Sequence, residues 1–179
     1  MAVTSTDAVL LRALAYGETS RVLRFLTRDR GIVGVMARGV RSGKRGHGLA
    51  TFASGQLTLY YRPTRDLQTY KEFAVIAARR GLGTEPLRLA AATVLADLVL
   101  RHGGDAEAGD LFDALTGALD RLEVAPPEAI AAVLLREGWG LVAALGYHPE
   151  LERCPLCGRE HADDEMGRFD FSQGGVRCA

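Results

Sequence analysis

Four cationic side chains lie within eight residues of one another in the stretch ARGVRSGKRGHG, residues 37–48. They are Arg38, Arg41, Lys44 and Arg45, and glycines separate them. Guanidinium groups pair with phosphate oxygens in a two-point geometry, and glycine lets a backbone approach a phosphodiester chain closely. Each neutralised phosphate releases counterions, so several such contacts give an affinity that falls steeply with salt. This stretch, the basic loop, therefore predicts contact with nucleic acid; the alternative is a solvated loop that keeps a sheet edge soluble.

The basic loop does not fit a nucleotide-binding phosphate loop. Gly43 and Lys44 resemble the end of a Walker A motif, but that motif requires Gly at position 38 and Ser or Thr at position 45. Both positions hold Arg. No Ser-His-Asp arrangement or paired carboxylate motif stands out either, so we do not expect an enzyme.

Three cysteines form the second group that could do chemistry. Cys154 and Cys157 lie in CPLC, and Cys178 follows after twenty intervening residues. Two thiolates three residues apart on a tight turn can reach one tetrahedral Zn²⁺, and a second such turn completes the ligand set. In a full ribbon the fourth ligand would fall at position 181, so we interpret the chain as a fragment that lacks at least one ligand. His161 is the best internal substitute for that ligand, and free thiols are the alternative to a structural zinc site.

Arginine dominates the cations of the chain, with 20 Arg and two Lys. Arg can stack on bases as well as pair with phosphate. Further arginines add positive charge on neighbouring strands and turns: Arg12, Arg21, Arg24, Arg28 and Arg30. Of these, Arg21 and Arg24 are predicted to contact DNA together with the basic loop. Three tyrosines, Tyr60, Tyr61 and Tyr70, could stack on bases, although aromatic residues on barrel strands more often belong to the core.

The first 80 residues are typical of short strands, because β-branched and aromatic runs alternate with clusters of turn residues. Five strands are predicted, at residues 8–16, 20–27, 32–38, 55–61 and 68–76. In the fourth, Leu57, Leu59 and Tyr61 alternate with polar neighbours, which is the period of a half-buried strand. Five short strands predict a small closed barrel. An OB barrel is the common solution at this size, and an SH3-like barrel would give a similar pattern.

From about residue 84 the apolar residues recur at helical spacing, which predicts three amphipathic helices in an antiparallel bundle. Capping and stop residues mark their boundaries: Thr84 with Pro86, Asp105, and Pro126 with Pro127 at the starts, and Gly103 and Gly146 at the ends. The fold class is therefore predicted as α+β, with an OB barrel at residues 1–80, a helical domain at 81–150 and a partial zinc-binding module at 151–179.

The net charge of zero conceals a division along the chain. Residues 1–80 carry 14 Arg and Lys against 5 Asp and Glu, a balance of +9, and the remainder carries 8 against 17, a balance of −9. This division suggests that the first part meets a polyanion, while the second meets proteins or folds over the first. No apolar run is long enough to cross a membrane, and the N-terminus lacks the features of a secretory signal. We therefore expect a cytoplasmic protein, and its predicted contact with nucleic acid would associate it with the nucleoid.

Several longer motifs resemble the bacterial RecO family of DNA repair and recombination proteins. The most specific are LTRDRG, the ARGVR stretch with GLATF downstream, and LGYHPELERCPLCG. Together with GQLTLYYRPTRDLQTYKEF and the later GGVRC, they occur in the family's order and cover nearly the whole chain.

The resemblance implies an N-terminal OB barrel, a helical domain and a zinc-binding module. It also implies binding of single- and double-stranded DNA, annealing of complementary strands, and loading of recombinase with RecR at gaps coated by single-strand-binding protein (SSB). By position, Cys154, Cys157 and Cys178 match three zinc ligands, and the basic loop matches a DNA-binding loop. The departures are the missing fourth cysteine and the helices expected beyond it. Two other classes stay open, an RNA-binding OB protein and a non-enzymatic protein adaptor.

Overall fold

The computed structural model describes residues 2–40, 49–104, 108–162 and 167–178. The strands of the first part are β1 (Ala2–Tyr16), β2 (Ser20–Thr27), β3 (Gly31–Ala37), β4 (Ser54–Tyr61) and β5 (Leu67–Ala77). Three helices follow, α1 (Pro86–His102), α2 (Ala108–Val124) and α3 (Ile130–Ala144), and the hairpin strands β6 (Arg168–Asp170) and β7 (Gly175–Arg177) come last. The residues up to Leu145 form one compact unit, and those from Gly146 form a second. The proposed domain limits at residues 80 and 150 stay a prediction.

The first five strands close into a barrel in the order β1-β2-β3-β5-β4. Neighbouring strands are antiparallel except β3 and β5, which pair in parallel through Gly34–Met36 and Leu67–Thr69. A five-stranded barrel followed by helices confirms the predicted fold class. Every strand has a neighbour on both sides, although β3 and β5 pair over only three residues each.

The barrel interior is filled by side chains that alternate along each strand. Leu57 and Leu59 are fully buried, and Tyr61 packs on the same side, as the period of two predicts. The rings of Phe25 and Phe73 meet edge to face with their centroids 5.1 Å apart, an arrangement that aromatic pairs prefer. The remaining large members of this core are Leu10, Leu23, Val33, Val35, Val40 and Leu49.

Strand β1 is shared between two partners. Its first half, Ala2–Val9, pairs with β4, and its second half, Ala8–Tyr16, pairs with β2. A bulge between Leu10 and Arg12 lies close to the point where the partner of β1 changes from β4 to β2. Bulges commonly occur where a strand bends. The strand therefore begins at Ala2 and not at residue 8 as predicted, because its pairing with β4 orders a polar segment that has little apolar pattern of its own.

The helices begin and end close to the predicted residues, with one correction. The N-cap of α1 is Glu85, whose carboxylate accepts hydrogen bonds from the backbone N–H groups of Leu87 and Arg88 at 3.0 and 2.8 Å. Thr84 instead donates from its hydroxyl to the carbonyl of Gly81. Asp105, the expected cap of the second helix, lies outside the described residues. Within the described ranges, no helix has the length and apolar character needed to span a membrane.

A second core joins the helices to the barrel. Outward residues of the barrel strands, including Val9, Leu11 and Leu26, pack with buried leucines of α1 and α2. Arg79 reinforces this junction from a left-handed backbone conformation, with φ of 44°. Its buried guanidinium donates to Asp120 Oδ1 at 2.6 Å, and to the Phe52 carbonyl and Ser54 Oγ at 2.9 Å each. The barrel and the helices are thus one packed unit.

The second unit is a tight turn and a short hairpin. Cys154 opens the turn, where the N–H of Gly158 donates to the Cys154 carbonyl at 2.8 Å. Gly158 has φ of 72°, which glycine adopts without strain. Strands β6 and β7 pair in an antiparallel hairpin, which ends next to Cys178. The turn and the hairpin therefore bring distant cysteines into one small unit.

Candidate nucleic-acid interface and metal centre

The basic loop is only partly within the described residues. Arg38 follows the last residue of β3, and its side chain is exposed. Arg41, Lys44 and Arg45 lie outside the described residues, so their predicted contact with nucleic acid stays a prediction. Of the four cations of the basic loop, the described residues therefore include only Arg38.

Arg21 and Arg24 occupy different sides of β2. Arg24 is exposed and lies opposite Arg12 on β1 and Gly34 on β3, on the outer face of the barrel. Arg21 is half-buried and shares the side of the strand that bears Leu23 and Phe25, at the mouth of the barrel. Among the described residues, neither guanidinium has a carboxylate partner within salt-bridge distance. Both remain candidates for binding an external anion.

Two other arginines of the barrel are neutralised by helix carboxylates. Arg28 makes a two-point pair with Asp113 of α2, with N–O distances of 2.9 and 2.6 Å. This hydrogen-bonded pairing raises the pKa of Arg28 and lowers the pKa of Asp113. Arg12 pairs with Asp97 of α1. Part of the basic charge of the barrel therefore meets the acidic helices of the same chain.

The three tyrosines take different positions. Tyr61 and Tyr70 are half-buried and pack against the barrel core, and burial raises the pKa of Tyr70. The guanidinium of Arg30 lies 4.5 Å from the centroid of the Tyr61 ring, within the range of a cation–π contact. Tyr60 lies on the opposite side of β4 from Leu57 and Leu59 and is half-buried. Tyr61 and Tyr70 therefore belong largely to the barrel core, as aromatic residues on barrel strands more often do, and less to a base-stacking surface.

The three cysteines converge on one point in the second unit. The sulfur atoms of Cys154, Cys157 and Cys178 all lie within 4.8 Å of one another. The distance between Cys157 Sγ and Cys178 Sγ is 3.7 Å. A Zn–S bond of about 2.3 Å places the sulfurs of a tetrahedral site about 3.8 Å apart. The cluster therefore has the dimensions of three corners of a tetrahedral thiolate site, and it could bind a metal.

Hydrogen bonds prepare one of these sulfurs as a thiolate. Backbone N–H groups of Cys178, Cys157 and Leu156 donate to the buried sulfur of Cys154 and lower its pKa to about 6. The neighbouring sulfurs of Cys154 and Cys157 raise the pKa of Cys178. A thiolate is the form that binds a metal, so the fold favours one anionic ligand, and a cation would favour ionisation of the others.

His161 is not part of the cysteine cluster. Its Nε2 lies 2.8 Å from the carbonyl oxygen of Val176 and bonds to it. Its other ring nitrogen, Nδ1, is buried without a hydrogen-bond partner among the described residues. The group that could hold a metal contains the three cysteines and no histidine. Within the described ranges, the proposed substitute ligand therefore lies outside the group that could hold a metal.

Comparisons with known proteins match both units. The profile described as Recombination protein O N terminal matches residues 1–79, and Recombination protein O C terminal matches residues 83–179. A protein named DNA repair protein RecO from Anaeromyxobacter sp. (strain Fw109-5) is 36% identical over 176 residues, which cover 95% of this chain and 67% of that protein. The chain belongs to the RecO family.

Other RecO proteins match at similar levels. That of Rubrobacter xylanophilus is 31% identical over 180 residues, covering 99% of this chain and 71% of its own length. That of Heliobacterium modesticaldum is 32% identical over 160 residues, covering 88% and 57%. The chain thus spans about two thirds of the length of most of these RecO relatives. The N-terminal RecO match covers the barrel, and the C-terminal match covers the helices and the cysteine cluster.

The sequence did not indicate which carboxylates form ion pairs with the arginines of the barrel. Asp97 and Asp113 lie on α1 and α2, 85 residues from their arginine partners in the sequence. The opposite charges of the two parts of the chain indicated that such pairs could form, but not which residues form them. In this RecO-family chain, the arginines that remain without described carboxylate partners include Arg21, Arg24 and Arg38.

Proposed function

We propose that this RecO-family protein acts in DNA repair and recombination by binding single- and double-stranded DNA through its barrel. The observation that carries the proposal is the distribution of paired and unpaired arginines. Asp97 and Asp113 pair with Arg12 and Arg28, whereas Arg24 and Arg38 are exposed with no carboxylate partner among the described residues. With the basic loop, these side chains offer a cationic surface to phosphate groups.

A cationic surface of this kind supports annealing without a catalytic residue. Neutralising the phosphates of two strands lowers their mutual repulsion and raises their local concentration. Phosphate contacts leave the base edges free to pair. We propose that the barrel anneals complementary strands in this way. Following the family resemblance, we also propose that the protein works with RecR and SSB to load recombinase at single-stranded gaps.

The proposal is tested by fluorescence anisotropy of a labelled single-stranded oligonucleotide across a salt series, with duplex and RNA competitors. With four phosphate contacts, the logarithm of the association constant should fall with the logarithm of salt at a slope of about −3. No association at low ionic strength would overturn the proposal and favour a protein adaptor. Tighter binding of structured RNA than of single-stranded DNA would favour the RNA-binding alternative.

We also propose that Cys154, Cys157 and Cys178 hold a structural Zn²⁺. The separation of their sulfurs, the N–H groups that support the Cys154 thiolate and the all-sulfur donor set fit zinc. When bound, the ion would join the turn that carries Cys154 and Cys157 to the end of the β6–β7 hairpin. The chain's own contribution is to hold the three sulfurs together.

Titration with Co²⁺, which reports thiolate ligation by its absorption, checks this proposal. The unmodified chain is expected to develop a thiolate-to-cobalt band that Zn²⁺ abolishes. Cys178→Ser should weaken the affinity by at least about tenfold, since even residues behind a ligand cost 10- to 100-fold. His161→Asn is the control and should bind nearly as well as the unmodified chain, because His161 is not in the cluster. An equal loss in both variants, or no band at all, would contradict the assignment.

A further inference from the structure

The three sulfurs of the cysteine cluster differ in their access to solvent. All three cysteines are free thiols. Cys154 is 1% exposed, whereas Cys178 is half-buried and Cys157 is exposed. Leu156, which precedes Cys157 on the same turn, is 58% exposed. A small solute can therefore reach Cys157 and Cys178, while Cys154 is protected.

The two accessible sulfurs are close enough to form a bond with little movement of the chain. Cys157 Sγ lies 3.7 Å from Cys178 Sγ. A disulfide bond is about 2.05 Å long, so the sulfurs must approach by about 1.6 Å, which rotation about the two Cα–Cβ bonds can supply.

Backbone hydrogen bonds hold together the two segments that carry these sulfurs. The N–H of Val176 donates to the carbonyl of Glu150 at 2.9 Å, and the N–H of Glu150 donates to the carbonyl of Gly174 at 3.0 Å. These bonds join the start of the turn segment to strand β7, which ends next to Cys178. The two sulfurs are therefore placed next to each other by the fold and do not have to find each other.

Cys154 is the least suited of the three to form a disulfide. Its sulfur accepts hydrogen bonds from the backbone N–H groups of Cys178, Cys157 and Leu156. Drawing that sulfur into a disulfide would disturb these bonds and leave buried donors without a partner, which is costly. Oxidation should therefore join the outer two sulfurs and leave Cys154 as a thiol.

We propose that Cys157 and Cys178 form a reversible disulfide when they meet a peroxide. Accessible cysteines beside a second, resolving cysteine are the usual sites of such oxidation. The inference goes beyond the proposed DNA-binding function. Its chemistry requires only the two sulfurs and the oxidant, so it does not depend on the proposed zinc site.

The reaction has two steps and consumes one peroxide. The Cys157 thiolate attacks one oxygen of hydrogen peroxide, the O–O bond breaks, and the other oxygen leaves with a proton as water, so that Cys157 becomes a sulfenic acid. The Cys178 thiolate then attacks the Cys157 sulfur, the S–O bond breaks, and the hydroxyl group takes a proton and leaves as a second water. Two thiols are oxidised to one disulfide, and the peroxide is reduced to two waters.

Oxidation would also change what the cysteine cluster can bind. A metal requires thiolate sulfurs, and the disulfide leaves Cys154 as the one thiolate among the three cysteines. The disulfide joins the turn to the end of the β6–β7 hairpin, as a metal ion bound by all three sulfurs would. The second unit thus keeps this connection in both states, while the oxidised state loses its affinity for the metal. In a reducing compartment such a bond lasts only while oxidant is present.

The test treats the whole chain with hydrogen peroxide and counts its free thiols after denaturation. The number is expected to fall from the three of the sequence to one, and a dithiol reductant should restore all three. The intact mass should fall by two hydrogens without gaining oxygen. Peptide mass mapping of the unmodified chain should place the disulfide between Cys157 and Cys178.

Two serine variants separate the possible pairs. Cys154→Ser is the control and should form the disulfide at a rate within about threefold of the unmodified chain, because both accessible sulfurs remain. Cys178→Ser should form an intramolecular disulfide at least about tenfold more slowly, since only the protected Cys154 is left to resolve the sulfenic acid. Urea unfolding checks that each variant is folded, and the mapping of the unmodified chain requires no variant.

A chain loaded with Zn²⁺ should release one ion for each disulfide formed, as measured with a chromogenic chelator. Failure of the proposed zinc site would be seen separately, as a lack of zinc uptake before peroxide is added. A disulfide mapped to Cys154 and Cys157, a bond between two chains, or oxygen gain without a disulfide would overturn the inference. Zinc retained after disulfide formation would overturn the inferred loss of ligation.

Discussion

The variant Arg41→Glu, Lys44→Glu, Arg45→Glu is expected to lose at least about 100-fold in affinity for single-stranded DNA at about 50 mM salt. Three cations of the basic loop become anions, so contacts with phosphate are replaced by repulsion. The slope of the logarithm of affinity against the logarithm of salt should become shallower by about 2, since each lost contact on a single strand contributes about 0.7. Anisotropy across the same salt series measures both quantities.

A charge-conserving variant separates the effect of charge on affinity from the effect of guanidinium geometry. Arg41→Lys with Arg45→Lys keeps all four cations of the basic loop and should retain most of the affinity, because phosphate contacts depend mainly on charge. A large loss here would show that guanidinium geometry matters as well. If the charge-reversed variant bound DNA as tightly as the unmodified chain, the basic loop would have no part in binding.

The second large effect is expected from Gly55→Ala, which should lower the free energy of unfolding by about 2–4 kcal/mol. Gly55 lies on β4 at a bulge, where the register with β5 shifts between Ser54 and Gly55. A Cβ atom there would overlap the carbonyl oxygen of Ala74 and lie 2.9 Å from Val75 Cα. Because these are backbone atoms of the neighbouring strand, the ladder itself would have to move. Urea unfolding followed by circular dichroism measures the change.

Gly140→Ala provides the matched control for this substitution. Gly140 lies in α3, and an added Cβ would meet no atom within 4 Å outside its own turn of helix. Replacing a helical glycine by alanine is expected to stabilise the fold by about 0.5–1 kcal/mol. If both variants changed stability in the same direction and by similar amounts, steric overlap at Gly55 would not be the cause.

Local patterns in the sequence were enough to predict most of the barrel and the helices. The predicted strand at 20–27 coincides with β2, and the others agree within one residue at most ends. The largest difference is the start of β1, where Val3, Ser5 and Asp7 show no apolar run and pairing with β4 decides the structure. Gly103 and Gly146 follow the ends of α1 and α3 as predicted, and Gly146 has the positive φ that such positions favour.

Side-chain pairing across the fold could not be predicted in the same way. Arg12, Arg24 and Arg28 look alike in the sequence, yet Arg12 and Arg28 pair with helix carboxylates and Arg24 does not. Arg79 is 7% exposed and donates to the barrel backbone and to α2, although nothing in its local sequence marks it as buried. These outcomes depend on where α1 and α2 pack, which no local periodicity records.

The cysteine cluster could be predicted from the sequence only in part. The sequence predicted that Cys154, Cys157 and Cys178 belong to one site, and the structure brings their three sulfurs together. The spacing did not predict the N–H groups that lower the pKa of Cys154, because these belong to the shape of the turn. Nor did it predict that the Val176 carbonyl would bind His161.

The division of β1 between β4 and β2 affects the order in which the protein can fold as it is synthesised. The segment Ala2–Asp7 pairs only with β4, so it finds its partner only when residues 54–61 have been made. Pairing between distant segments delays folding. Until β4 emerges, the buried side chains of Val9 and Leu10 lack part of their cover, and nascent chains with such exposed strands are prone to aggregate. The barrel therefore closes only after β5, at residues 67–77, has also been made.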